Sequence, residues 1–211
     1  MDEPTFEREY FSRGFTAVAG VDEVGRGPLA GPVVCAAVIM PLEEEARVKG
    51  VGDSKKLSKK KREQLAEEIM RVARAYSIVE VDERTIDEIN ILQATRLGMK
   101  RAVEGLELPA DMVLTDGNMT LDITADQKSI VKGDALVYSI GAASILAKVY
   151  RDELMKKFAE EFPAYGFERN AGYGTAEHIR AIGEVGICRI HRKTFVKKFW
   201  DGAERTPPAN T

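Results

Sequence analysis

Val21 to Pro32 reads V-D-E-V-G-R-G-P-L-A-G-P. Valine-rich apolar runs lie on both sides, at 16–23 and 32–40, and both have the β-branched character of strands. Eight residues separate the runs, too few for a helical crossover, so the pair is expected to form an antiparallel hairpin. The glycines admit three readings: a phosphate cradle, a metal site behind Asp22 and Glu23, or a tight turn. Gly25, Gly27 and Gly31 give G-x-G-x-x-x-G, one residue longer than the dinucleotide fingerprint. A strand rather than a helix follows, so the helix N-terminus that receives a pyrophosphate is missing.

Outward from this stretch the pattern alternates. Ser58 is placed to cap a helix in which Leu65, Ile69, Val72 and Ala73 share one face. Tyr76 to Val81 reads as a third strand, and Leu92, Met99, Val103 and Leu106 mark the apolar face of a later helix. Met112 to Thr115 is a short strand running into Asp116 and Gly117; Ile130 and Val131 form another, running into Lys132, Gly133 and Asp134. A long helix is expected from Ala135, where Gly141, Ala142, Ala143 and Ala147 allow close approach to a sheet. Three meandering strands followed by strands alternating with helices predict an α/β domain, a mixed sheet with helices on both sides. One domain over 1–200 is expected, with a disordered tail at 201–211, A-E-R-T-P-P-A-N-T closing the chain.

Bulk properties narrow the function classes. The 211 residues are 44% hydrophobic and 31% charged, ordinary for a globular protein. Cys35 and Cys188 are the two cysteines, which gives neither a disulfide framework nor a zinc pattern. No apolar run approaches the roughly 20 residues a membrane helix needs. The first ten residues are too acidic for a signal peptide, so a cytoplasmic location is expected. Net charge is −3, but Lys55 to Arg62 holds six cations in eight residues, and a second basic cluster spans Arg189 to Trp200. Each reads alone as a solvated face; two in an acidic chain point to a polyanion partner.

Asp22 and Asp116 close apolar strands, Asp134 follows another, and Glu23 adjoins the first. A lone carboxylate there is usually a cap or turn residue. Four converging on one sheet edge would repel one another unless a divalent cation bridged them, and an all-oxygen set favours Mg²⁺ or Mn²⁺. Neighbouring strand residues point to opposite faces, so Asp22 and Glu23 are expected to share a site only through local distortion.

Six segments, V-D-E-V-G-R-G-P-L-A-G-P-V-V, G-D-S-K-K-L-S, L-T-D-G, V-K-G-D-A, A-A-S-I-L-A-K-V-Y-R-D and G-Y-G-T-A-E-H-I, resemble the bacterial-type ribonuclease HII family in order and spacing, over roughly 14–195. The resemblance implies a ribonuclease H-like fold, a five-stranded mixed sheet flanked by helices. It implies endonucleolytic hydrolysis of the RNA strand of RNA–DNA hybrids. It also implies cutting 5′ to single ribonucleotides in duplex DNA, leaving 5′-phosphate and 3′-hydroxyl, in ribonucleotide excision and primer removal. The family's acidic quartet falls on Asp22, Glu23, Asp116 and Asp134, which would hold two divalent ions, Mg²⁺ or Mn²⁺, for two-metal catalysis. Gly25, Arg26 and Gly27 fall on the segment that senses the 2′-hydroxyl, the group separating RNA from DNA. Tyr173 matches a tyrosine that stacks on the following sugar. Ser54, Lys55 and Lys132 would hold phosphates, while Lys56 is more readily a surface lysine. His191 and Arg192 match a basic pair, read as DNA contact or local structure; Ser144 and Lys148 read as structural, and Asp152 and His178 as helix-end caps or ion pairs. A noncatalytic nucleic-acid-binding module and the sister type 3 enzyme are the alternatives. All four acids are present, against the first; the G-R-G spelling and the short lead before the first strand stand against the second. A monomer is expected.

Overall fold

The computed structural model describes residues 6–41, 43–52, 57–200 and 202. Ser54, Lys55, Lys56 and, apart from Gly202, the expected tail at 201–211 lie outside the described residues.

Strands β1 (Val18–Val24), β2 (Val33–Ile39) and β3 (Ala75–Val81) form the expected antiparallel meander. Strands β4 (Met112–Asp116) and β5 (Asp126–Ile130) join in parallel on the free side of β1, giving the order β3-β2-β1-β4-β5. The sheet is therefore five-stranded and mixed. Because β1, β4 and β5 run in parallel, their carboxyl ends share one edge, and the acidic residues gather there.

Alternation along β1 and β2 sends side chains to two apolar layers. Ala19, Val21, Cys35 and Ala37 pack against Met99, Ala102 and Val103 of α3 (Glu83–Glu104). Val34, Ala36 and Val38 face Leu65 and Ile69 of α2 (Lys59–Val72), and Ala142, Ala143 and Leu146 of α5 (Tyr138–Glu161). Helices thus cover both faces. Ser58 caps α2, its hydroxyl accepting from the Lys61 N–H. Among the described residues, no helix is long and apolar enough to cross a membrane.

Four local expectations are corrected. Leu92 is 42% exposed rather than part of the core face. The cause is Asn90, at φ 65° and ψ 164°, which breaks α3; its side chain accepts from the N–H groups of Leu92 and Gln93 and restarts the helix in a different phase. Strand β5 begins earlier and ends at Ile130, leaving Val131 67% exposed. As an edge strand it carries D-Q-K-S-I, of which only Ile130 is buried, so its apolar signal was weak. The long helix is interrupted at Val137, between the single turn α4 (Gly133–Leu136) and α5. An opening helix, α1 (Phe6–Ser12), was not foreseen; its Glu7 carboxylate accepts from the Ser139 N–H and hydroxyl at the start of α5.

Candidate active site

Asp22 lies within β1 on the face covered by α5, and is 5% exposed. Its Oδ1 accepts the Glu23 N–H at 2.8 Å, and the Ser144 hydroxyl of α5 also bonds its carboxylate. Burial pushes the Asp22 carboxyl well above the ordinary range, and the charges of Glu23 and Asp116 push the same way. Glu23 is raised too, chiefly by burial and further by Asp116, against the opposing pull of Arg26. Three carboxylates are therefore close enough to feel one another. Asp116 closes β4; its Oδ1 accepts the Gly133 N–H at 2.6 Å, which ties it to the turn bearing Asp134. Asp134 is buried in the first turn of α4.

The expected local distortion is absent and is not needed: near the end of β1, Asp22 feels Glu23 and both feel Asp116 although the strand stays regular. The ladder to β2 stays regular through Val24, pairing Asp22 with Ala36 and Glu23 with Cys35. The two side chains leave opposite faces, and Glu23 is drawn toward Arg26, whose Nη1 lies 3.2 Å from Glu23 Oε1. Among the described residues, no three His, Cys, Asp or Glu groups already form a ligand set. The donors nevertheless suit a hard divalent cation: they are oxygens, Asp22 and Asp134 buried and Glu23 and Asp116 partly so, and Asp22, Glu23 and Asp116 repel one another, so a cation relieves a repulsion the protein already carries.

The glycine loop bends away behind these acids. Gly25 has φ 90°, and a methyl group there would stand 2.3 Å from Arg151 Nε, so both backbone and space demand glycine. Arg26 and Gly27 are exposed. A methyl on Gly27 would lie 3.6 Å from Tyr173 Cε1, which places the 46%-exposed tyrosine against the loop. Leu29 N–H donates to Gly172 O at 2.8 Å and joins the two segments. Lys132 is exposed beside Asp116, with a left-handed backbone at φ 60° and ψ 35°.

The second basic cluster divides. Arg189 is committed to Glu161, donating Nε and Nη2 to its two oxygens. His191 and Arg192 are buried, as a local structural role requires; Lys193, Lys197 and Lys198 stay exposed. Lys148 pairs with Asp152 on α5. Cys35 and Cys188 are free thiols, the first buried and the second partly so.

Two histidines far apart in sequence meet. His178, on α7 (Ala176–Val185), which follows the single turn α6 (Phe167–Asn170), and His191 bring their Nε2 atoms to 3.0 Å. The Cys188 N–H donates to His191 Nδ1, so His191 carries its proton on Nε2 and donates it to His178. His178 then carries its proton on Nδ1, which donates to Tyr173 O at 2.9 Å. Both rings are neutral. Burial pushes His178 down, while burial and the neighbouring His178 push His191 down to about 3. The unfolded chain thus takes up protons first on acidification. Stability from the pair is whole above about 6.5, the ordinary histidine value, and is lost as pH falls below it. Urea unfolding is expected to show wild type losing up to about 1.4 kcal/mol per pH unit per ring between pH 6.5 and 5. His191→Asn should flatten this slope; equal slopes would contradict the assignment.

A five-stranded mixed sheet, helices on both faces and acids at the shared carboxyl edge define the ribonuclease H-like class of nucleases. The fold is shared with ribonuclease H2 of Pyrococcus horikoshii OT3, at TM-score 0.74 and 27% identity, over 87% of this chain and 97% of that one. It is shared also with Bst-RNase HIII solved in complex with Mn²⁺, at TM-score 0.65 and 20% identity, over 81% of this chain and 63% of that one. The Ribonuclease HII family profile matches residues 19–202. Ribonuclease HII of Caldicellulosiruptor saccharolyticus is 53% identical over 93% of this chain and 96% of its own length. Ribonuclease HII of Bacillus subtilis (strain 168) is 51% identical, over 90% and 74%. The chain belongs to the ribonuclease HII family. It is a ribonuclease H, a divalent-metal-dependent hydrolase acting on RNA–DNA hybrids.

Proposed function

We propose that this enzyme, as one catalytic domain over 1–200, cuts on the 5′ side of single ribonucleotides embedded in duplex DNA as well as within hybrids. It leaves 5′-phosphate and 3′-hydroxyl, and serves ribonucleotide excision and primer removal as a cytoplasmic monomer. The observation that carries this reading is the adjacency of two devices: the mutually repelling carboxylates of Asp22, Glu23 and Asp116, and the exposed Arg26–Gly27 segment against Tyr173.

Asp22, Glu23, Asp116 and Asp134 are the residues that would hold two divalent ions, Mg²⁺ or Mn²⁺. When bound, such ions lower the pKa of an attacking water and neutralise charge on the leaving 3′ oxygen. Ser144 orients the Asp22 carboxylate from α5. Asp116, fastened to Gly133, keeps the Asp134 turn at the edge of β4. The backbone of Gly25, Arg26 and Gly27 reads the 2′-hydroxyl, where a side chain would block approach. Arg26, released from Glu23, turns to a phosphate. Ser54, Lys55 and Lys132 hold neighbouring phosphates. The Tyr173 ring stacks on the next sugar, which favours deoxyribose there.

The test is a DNA duplex with one ribonucleotide, supplied with Mg²⁺ and then Mn²⁺, with the cut mapped to the nucleotide. Wild type should cut 5′ to the ribonucleotide and stop on chelation. Tyr173→Ala should lose about tenfold or more on this substrate, in the range of one lost stacking contact, while binding changes less. Unchanged cutting of the lone ribonucleotide by Tyr173→Ala would remove the tyrosine from the reading; a wild type that cuts only long hybrids would remove the substrate.

A further inference from the structure

Two buried arginines lie under the glycine loop, and neither is accounted for by the acidic site. Arg192, just before α8 (Lys193–Val196), donates Nη2 to Gly25 O at 2.5 Å and to Gly31 O at 2.8 Å. Its Nη1 donates to Arg26 O and its Nε to Gly31 O, each at 2.9 Å. Arg151 of α5 donates Nε to Pro32 O at 3.0 Å, Nη2 to Ala30 O at 3.1 Å and Nη1 to Ala171 O at 2.9 Å. Their relative exposures are 1% for Arg151 and 0% for Arg192. Neither is in an ion pair formed by the described residues.

Such burial is unfavourable. Two like charges sit in the interior, each guanidinium hydrogen-bonded to backbone carbonyls, with Glu83 and Asp87 acting on Arg192 and Asp152 on Arg151 from further off, and the Phe195 ring 5.1 Å from Arg192; apolar side chains of similar volume would pack there at lower cost. Burial pulls both guanidiniums down, and the charge of Arg151 pulls Arg192 further. What an apolar side chain cannot do is hold several carbonyl oxygens in a fixed fork.

That fork has a directional consequence. In a trans peptide the C=O and the following N–H point opposite ways. Drawing Gly25 O and Arg26 O inward onto Arg192 therefore turns the Arg26 and Gly27 N–H groups outward. These two residues are exposed, while Gly25 and the residues from Pro28 to Gly31 are buried. The loop presents donors to the substrate because its acceptors are taken from behind. Arg151 links the same loop to Ala171, two residues before Tyr173, so the loop and the tyrosine share one support.

We propose that Arg151 and Arg192 are positioning residues for ribose selectivity: they hold the carbonyl side of the glycine loop, so that the Arg26 and Gly27 amides face the 2′-hydroxyl and its adjoining phosphate. This rests on the reading of the loop as the ribose sensor. Lysine keeps the charge but not the fork, so Arg192→Lys and Arg151→Lys separate positioning from charge.

The experiment compares duplexes carrying one ribonucleotide or one 2′-fluoro nucleotide, with rates measured at saturating enzyme and melting temperature recorded for each variant. Each lysine variant should lose about a hundredfold in rate on the ribonucleotide, the scale of a misplacement of about 1 Å. The preference for ribose over 2′-fluoro should shrink, with KM nearly unchanged. A folded variant that keeps the wild-type preference overturns the proposal, as does an equal loss on both substrates. Should both variants fail to fold, amide hydrogen exchange in the wild type decides: Arg26 and Gly27 should exchange fast and Gly31, bonded to Ile190 O, slowly. Protected Arg26 and Gly27 amides overturn the proposal. A wild type that does not cut at the ribonucleotide defeats instead the reading of the substrate, a separate outcome visible before any variant is made.

Discussion

Asp22→Asn is expected to lower cutting by about a thousandfold or more, on the scale by which loss of one preorganised electrostatic group slows an enzyme. Its metal-free melting temperature should nevertheless hold or rise. The amide would keep the shape of the side chain and an Oδ1 to accept the Glu23 N–H. It would remove a buried charge that two other carboxylates repel. Removing one member of an ion pair usually leaves an uncompensated charge behind; here the neighbours share the same sign, so the direction reverses. That pair of results would make function the reason the carboxylate is kept, with stability given up for it. Calorimetric melting with and without Mg²⁺ checks both halves. Wild type should gain stability from the ion by mass action, and Asp22→Asn should gain little. A variant that cuts normally, or one that melts well below wild type without metal, would refute this account of the site.

Gly20→Ala should produce the largest loss of stability. A methyl group on Gly20 would stand 2.1 Å from the Ser139 carbonyl carbon and 2.3 Å from the Ile140 nitrogen. Both are backbone atoms at the start of α5, so no rotamer change relieves the overlap. Overpacking typically costs about 1–3 kcal/mol and here should reach at least the top of that range, or roughly 6–12 °C in melting temperature for a chain of this size. The damage should spread to activity, because α5 also brings Ser144 to Asp22 and Arg151 to the glycine loop. Gly183→Ala on α7 is the control. A methyl there meets nothing within 4 Å, so gaining about 0.5–1 kcal/mol is expected. Thermal unfolding of the pair is sufficient, and Gly20→Ala melting with wild type would overturn the close approach of helix and strand.

The hairpin, the Ser58 cap and the mixed sheet were legible from residue types and spacing, and so was the placing of acids near the strand ends as a candidate site. Each depends on near neighbours: an alternating apolar pattern, a turn too short for a crossover, a hydroxyl three residues before an N–H. The parallel pairing of β1 with β4 and of β4 with β5 then explains why Asp22 feels Asp116 and why the Gly133 N–H on Asp116 brings the Asp134 turn to the same edge, since parallel strands bring their carboxyl ends together. Elsewhere the apolar spacing was overridden, once by a local cap and once by position in the sheet. Leu92 kept a helical spacing but lost its face at the Asn90 break, and Val131 lost its strand because β5 is an edge whose polar residues look like loop.

Which charges lie inside was settled by packing, not by residue type. R-I-H-R-K-T-F-V-K-K reads as one basic cluster, and nothing in it distinguishes Arg189, spread over Glu161, from Arg192, enclosed by the carbonyls of Gly25, Arg26 and Gly31. Nor does spacing reveal that His178 and His191 share a proton path to Tyr173. The reason is physical. Side-chain chemistry is local and can be read from the residue, whereas burial and hydrogen-bond partners are set by segments more than a hundred residues apart, as Arg192 and Gly25 are. Residue order alone specifies the reagents and the local elements that carry them; the packed chain specifies which of those reagents face the substrate and which hold the others in place.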